Sequence, residues 1–158
     1  MTAITVRRAV LAELDAINRV IERAIMGWRL AERVKRLSLP LYRYDQHDFD
    51  ALELHVALAE DGRIMGVAAW EPAAPADLPA GRTGLLLRGL YVDPEAQHQG
   101  IGSRLLNAAE EAARRQGLDG VLIKAQRDAE PFFLAAGWQR LAVDETGRHY
   151  PHRLWKIL

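Results

Sequence analysis

One turn near the middle of the chain restricts its fold more than any other stretch. The apolar run Leu85-Leu86-Leu87-Arg88-Gly89-Leu90-Tyr91-Val92 is followed by Asp93-Pro94 and then by Gln97-His98-Gln99-Gly100-Ile101-Gly102-Ser103. The run is rich in branched and aromatic residues, and the proline after it cannot extend a ladder, so it predicts a buried strand. Beyond the glycines, Ile101, Leu105, Leu106, Ala109, Ala112 and Ala113 recur at helical spacing. Arg104, Glu110, Glu111, Arg114 and Arg115 take the other positions, and Gly117 supplies a stop. A strand therefore feeds a helix through a glycine loop.

Such a loop is a cradle for an anion. Gly100 and Gly102 lack the Cβ atoms that would hold a bulky ligand away from the backbone N–H groups of the first helical turn. The helix dipole adds roughly half a positive charge at that end, worth about 0.3–1 kcal/mol per interaction. Pyrophosphate suits this arrangement, and His98 is a candidate to touch it. Two familiar phosphate loops are excluded by missing parts. Gly102-Ser103-Arg104 lacks the Lys-Ser/Thr pair of a P-loop, and Leu105 stands where a dinucleotide fingerprint needs its third glycine.

What the stretch does match is Q/R-x-x-G-x-G/A after a strand ending in Leu-Tyr-Val-Asp-Pro, a pattern that resembles the acetyl-CoA site of the GNAT N-acetyltransferase superfamily. Val121-Leu122-Ile123-Lys124-Ala125 resembles the family's next strand. Asp128 to Trp138 resembles the helix after it, with Ala-Gly-Trp in place of x-Gly-Phe. The resemblance covers roughly Leu85 to Leu141, while the N-terminal half agrees in element order alone. It implies acetyl-CoA as cosubstrate, with its pyrophosphate on Gln97, His98, Gln99, Gly100, Ile101, Gly102 and Ser103. The pantetheine arm is then bonded like an added strand to the backbone of Leu90, Tyr91 and Val92, between two splayed central strands. Gln126 replaces the asparagine that often opens the second unit, and can still bond the pantetheine or the helix start. Phe133 stands where many members carry a tyrosine acid.

Composition agrees with this reading. The chain has 158 residues, one domain's length, and the expectation is a single GNAT-like domain over residues 1–158. Lys plus Arg and Asp plus Glu are equal at 21 each, which argues against nucleic acid or an anionic membrane as the main partner. Cysteine is absent, so there is no disulfide framework, no thiolate zinc site and no acyl-cysteine intermediate. No apolar run approaches the ~20 residues of a membrane span. Arg7, Arg8, Glu13 and Asp15 interrupt any signal-peptide core, and the expected compartment is the cytoplasm. A homodimer fits the resemblance. No metal is expected: the five histidines show no convincing ligand spacing, and His149 with His152 is a weak pair.

Along the rest of the chain, Ile4 to Arg7 is a short strand, and Leu14, Ile17, Ile21, Ala24, Ile25 and Trp28 mark a helix. A second helical piece carries Leu30, Val34 and Leu37 and is expected to end at Pro40. Leu41 to Leu52 then reads as a loop with Tyr42, Tyr44, His47 and Phe49. Glu53 to Ala59 and Arg63 to Trp70 form a hairpin across Asp61-Gly62. Prolines 72, 75 and 79 make a loop, and two final strands lie around Gln139 to Val143 and Arg153 to Ile157. The expected class is α/β (α+β): a GNAT-like mixed, mostly antiparallel sheet of about seven strands, flanked by about four helices. Trp28, Trp70, Trp138 and Trp155 are expected in the core.

Acetyl transfer to an amine requires an ammonium of pKa near ~10 to lose a proton and a departing thiolate to gain one. With phenylalanine at 133, the titratable groups must come from elsewhere. Tyr150 is the candidate acid and His152 the candidate base, in the segment Arg148-His149-Tyr150-Pro151-His152. Glu71 is a second candidate base. The expected function is direct transfer of acetyl from acetyl-CoA to an amine of a small molecule or peptide. The alternative is a catalytically degenerate module that senses CoA or acyl-CoA.

Overall fold

Alternating apolar residues and two amphipathic helices build the first half of the chain. The computed structural model describes residues 3–142 and 152–158, which carry seven strands and five α-helices. The strands form one mixed sheet in the order β1-β2-β3-β4-β5-β7-β6. The chain divides into two compact units, Met1–Ala69 with Gly89–Leu106, and Trp70–Arg88 with Asn107–Leu158.

In the first unit, β1 (Thr5–Arg8) pairs antiparallel with β2 (Glu53–Leu58), with Thr5 opposite Leu58 and Arg8 opposite His55. The hairpin to β3 (Ile64–Pro72) turns at Gly62, whose φ of 85° is left-handed. Helix α1 (Leu14–Met26) buries Ile17, Val20, Ile21 and Ile25 against Leu54, Val56, Val67, Ala69 and Tyr91. Each such side chain contributes about 1.5–3 kcal/mol on leaving water, which is what holds a 13-residue helix in place. The Lys35 ammonium donates to the Met26 carbonyl at 2.7 Å, placing a cation where the α1 dipole is negative.

Two expectations for this unit are corrected. Helix α2 (Glu32–Tyr42) runs through Pro40 rather than ending there. The ring removes one i→i−4 bond, to the Arg36 carbonyl, but the backbone needs only two more helical residues, and Arg43 N–H still closes on Leu39 at 3.2 Å. The supposed loop contains α3 (Gln46–Ala51), one of the five α-helices among the described residues. Its start is a reciprocal cap: Asp45 accepts from Asp48 N–H at 2.9 Å, and Asp48 accepts from Asp45 N–H at 3.0 Å.

In the second unit, the first residues of β4 (Gly84–Val92) run parallel to β5 (Gly120–Lys124), with Gly84 opposite Gly120 and Leu87 opposite Ile123. That ladder ends at Leu87, while β4 continues to Val92. β7 (Arg153–Ile157) pairs antiparallel with β5 and with β6 (Gln139–Arg140). Val143, the expected end of β6, lies outside the described residues.

Helices α4 (Ile101–Arg115) and α5 (Glu130–Ala135) end in the same way. After α4, Gly117 at φ 70° donates to Arg114 and Leu118 donates to Ala113, both at 3.0 Å. After α5, Gly137 at φ 89° donates to Leu134 and Trp138 donates to Phe133. Both are Schellman terminations, in which a left-handed glycine lets two N–H groups return to otherwise unpaired carbonyls. Trp70, Trp138 and Trp155 are buried, as expected, and Trp28 is partly buried against the core.

Candidate active site

The cradle is held by the end of β4. Asp93 N–H donates to the Met65 carbonyl at 2.9 Å, and the Asp93 carboxylate accepts from Glu95 N–H at 2.9 Å and from the Arg23 guanidinium at 3.2 Å. From this anchored turn the chain passes through exposed Gln97, His98, Gln99 and Gly100. Two of these are left-handed: His98 at φ 64° and Gly100 at φ 77°. A histidine in that region costs about 1–3 kcal/mol, a strain that persists where the surroundings impose it and that clusters at ligand clamps.

Helix α4 opens with Arg104 N–H donating to the Gly100 carbonyl at 3.1 Å. The N–H groups of Ile101, Gly102 and Ser103 therefore have no partner within the helix. With a left-handed residue directly before them, they converge as an anion-binding concavity. No acidic side chain occupies the first turn, so the positive end of the dipole is not neutralised there. A Cβ built on Gly100 meets nothing within 4 Å, so the space over the turn is open. The turn itself is fixed from below: a Cβ on Gly66 would lie 2.7 Å from Ile101 and 2.9 Å from Leu105, so only glycine lets α4 seat this closely on β3.

Of the three strand residues expected to bond the donor arm, Tyr91 is buried, and Leu90 and Val92 are half-buried. Tyr91 packs edge-on to Tyr42 with ring centroids 6.5 Å apart, and Tyr42 packs edge-on to Trp28 at 5.4 Å. Tyr44 joins them in a way the sequence did not indicate. A Cβ on Gly89 would lie 2.6 Å from the Tyr44 hydroxyl.

The second unit holds a charged cluster around buried Glu130. One carboxylate oxygen lies 2.9 Å from His152 Nδ1, and the other accepts from Arg140 Nε at 3.1 Å and Nη2 at 2.8 Å. The His152 contact first, and Arg140 second, hold the Glu130 carboxyl below its ordinary range. An ionised Glu130 has only acceptors, so the proton of this hydrogen bond sits on His152 Nδ1. A carboxyl lowered on folding adds stability above the usual carboxylate range and loses it as pH falls through the folded-state value. Glu130→Gln is accordingly expected to melt several degrees below wild type at neutral pH. The gap should narrow as pH falls below the usual carboxylate range and close only once the folded-state carboxyl, which is held lower, is protonated as well. Thermal scans at neutral pH and down the acid limb check this; a gap unchanged on acidification would assign the loss to packing.

A family model for the GNAT acetyltransferases matches residues 22–138, most of the chain and all of the cradle. The chain belongs to the GNAT acetyltransferase family. Solved structures share this GNAT fold. The PaiA N-acetyltransferase of Thermoplasma acidophilum in complex with coenzyme A is 18% identical, covers 99% of each chain and superposes with a TM-score of 0.76. A GNAT acetyltransferase of Brucella melitensis in complex with acetyl-CoA is 19% identical, covers 90% of each chain and has a TM-score of 0.64. AtaT complexed with acetyl-methionyl-tRNAfMet is 16% identical, covers 98% of this chain and 95% of that chain, and has a TM-score of 0.61. No curated sequence matches the chain.

GNAT membership supports acetyl-CoA-dependent acetyl transfer, and the open, dipole-positive turn at Gly100 to Ser103 fits the donor's pyrophosphate. The other sequence candidates fall as follows. Gln126 precedes a short 3₁₀ turn (Arg127–Ala129) without capping it by its side chain. Phe133 is buried at 2% exposure with its ring 5.1 Å from that of Trp138. Glu71 faces Arg88 at 3.4 Å. Tyr150 and His149 lie outside the described residues. Among the described residues no group of three or more His, Asp or Glu side chains could hold a metal, and no helix is long and apolar enough to cross a membrane.

Proposed function

We propose that this chain transfers an acetyl group from acetyl-CoA directly to an amine of a small molecule or peptide. The observation that carries the proposal is the cradle: left-handed Gly100 opening α4 with no acidic side chain in its first turn, inside the GNAT-matched segment. In this reading the N–H groups of Ile101, Gly102 and Ser103, with Gln97, His98 and Gln99 around them, hold the pyrophosphate. The backbone of Leu90, Tyr91 and Val92 aligns the arm, and Gln126 and Phe133 complete the donor's surroundings. The acceptor nitrogen, once neutral, forms a bond to the acyl carbon while the carbon–sulfur bond breaks. Holding the two reactants together supplies much of the rate. His152 accepts the proton of the acceptor through Nε2, with Glu130 fixing the ring, and Tyr150 is the partner acid. The whole of residues 1–158 acts as one domain in the cytoplasm, as a monomer or homodimer.

Calorimetry with CoA and a thiol-release assay over a panel of amines test the proposal. Because the chain has no cysteine, every thiol detected is CoA's. The panel includes a polyamine, an aminoglycoside, short peptides and aminoacyl-tRNA, the last because a GNAT neighbour is complexed with an acetylated one. Turnover on any amine above the no-acceptor background supports transfer. CoA binding with no turnover favours the sensor reading, for which Phe133 in place of a tyrosine is the motivating residue. Absence of CoA binding removes both.

A further inference from the structure

We propose that the Tyr44 hydroxyl protonates the departing sulfur, a role that Phe133 cannot fill. This rests on the acetyl-transfer reading and gives Tyr44 the acid's place that the reading assigned to Tyr150. A donor arm that starts from the cradle, just past the end of β4, and pairs in turn with Val92, Tyr91 and Leu90 runs back along the strand. At about 3.3 Å per residue, its sulfur end arrives at Gly89. Gly89 and Tyr91 lie on the same face of β4, and Gly89 is where the Tyr44 hydroxyl comes down onto the strand, 2.6 Å from the place of a side chain that is not there. The ladder to β5 has ended two residues earlier, at Leu87.

Tyr44 is held in this position by its backbone. The Asn18 side chain of α1 donates to the Tyr44 carbonyl at 2.7 Å and accepts from the Tyr44 N–H at 2.8 Å, a two-point lock across 26 residues of chain. The next residue, Asp45, is the cap of α3, so the chain is restrained on both sides. A phenol whose backbone is locked twice and whose hydroxyl stands over Gly89 is pre-positioned at low entropic cost.

The step balances as follows. The acceptor nitrogen bonds to the acyl carbon, the carbon–sulfur bond breaks, and the sulfur takes its electron pair. The Tyr44 proton passes to that sulfur, and the proton shed by the acceptor returns to the Tyr44 oxygen through water. At neutral pH both the phenol and the thiol end protonated.

Tyr44→Phe removes the proton and keeps the ring. On the best acceptor of the panel, its kcat is expected to fall about 100-fold, with the acceptor KM and the CoA affinity at pH 7 unchanged. A second readout does not depend on turnover. In wild type, CoA affinity measured by calorimetry is expected to rise by about tenfold as pH is raised through the thiol's ionisation, because the hydroxyl donates to the thiolate. The rise should be absent for Tyr44→Phe, and absent in wild type with desulfo-CoA. A Tyr44→Phe variant with wild-type kcat and the same rise in affinity overturns the proposal. If wild type itself binds no CoA or releases no thiol with any amine, the acetyl-transfer reading fails instead, and that failure is visible before any substitution is made.

Discussion

Gly100→Val is expected to weaken CoA binding by at least about 100-fold while leaving the chain folded. Two causes act together. Gly100 sits at φ 77°, where a β-branched residue is disfavoured, so the loop must relax away from the geometry that makes the N–H groups converge. Its new side chain would also project into the space that is open above α4. A hydrogen bond to a charged phosphate is worth about 1.5–3 kcal/mol, so misaligning two of them accounts for the loss. The control is Gly62→Val. Gly62 is also left-handed, at φ 85°, and likewise has nothing within 4 Å of a built Cβ, but it lies at the β2–β3 hairpin. It should lower the melting temperature to a similar extent and leave the calorimetric Kd for CoA unchanged. Equal Kd values for wild type and Gly100→Val would place the donor elsewhere.

The largest expected effects on stability lie in the second unit, where Trp155 covers two glycines of the parallel ladder. A Cβ on Gly120 would collide with the Lys156 carbonyl and lie 2.6 Å from the indole of Trp155, and one on Gly84 would lie 2.8 Å from the Gly120 carbonyl. The obstacles include backbone and a buried ring, so neither can swing away. Gly120→Ala is expected to cost about 1–3 kcal/mol through overpacking. Trp155→Ala, which empties a site shared with Leu78, Leu86 and Leu122, should cost about 3–5 kcal/mol. In the double variant the alanine methyl no longer meets the indole but still meets the carbonyl. Denaturant unfolding should therefore show a sum reduced by about 1 kcal/mol rather than full relief. Strict additivity would mean that the Trp155 ring does not press on Gly120.

What the sequence disclosed and what it hid follow from the range of the interactions. The periodicities of β4 and α4 and the stop at Gly117 are local, and the observed elements begin and end within a residue or two of the expected ones. Helix α3 was legible in principle as Asp45-x-x-Asp48, but six residues are too few for periodicity to separate a helix from a loop. Pro40 misled because a proline penalises the turn before it, not a helix about to finish. Tyr44 and Glu130 were beyond sequence reasoning. The first matters because Gly89, 45 positions away, has no side chain, and the second because Arg140 and His152 converge on it. Such meetings are tertiary facts, and neither residue type is unusual where it stands.

The termination of α5 has a consequence for what a tyrosine could do at position 133. Phe133 supplies the carbonyl that Trp138 N–H returns to, and its ring is the apolar half of the same motif. The position serves as a fastening for the end of a helix. Placing a tyrosine there would bring a hydroxyl to a site with 2% exposure, beside the Trp138 indole. Phe133→Tyr is therefore expected to trade stability for its hydroxyl: the ring that fastens the end of α5 is also the one that a new acid would have to displace.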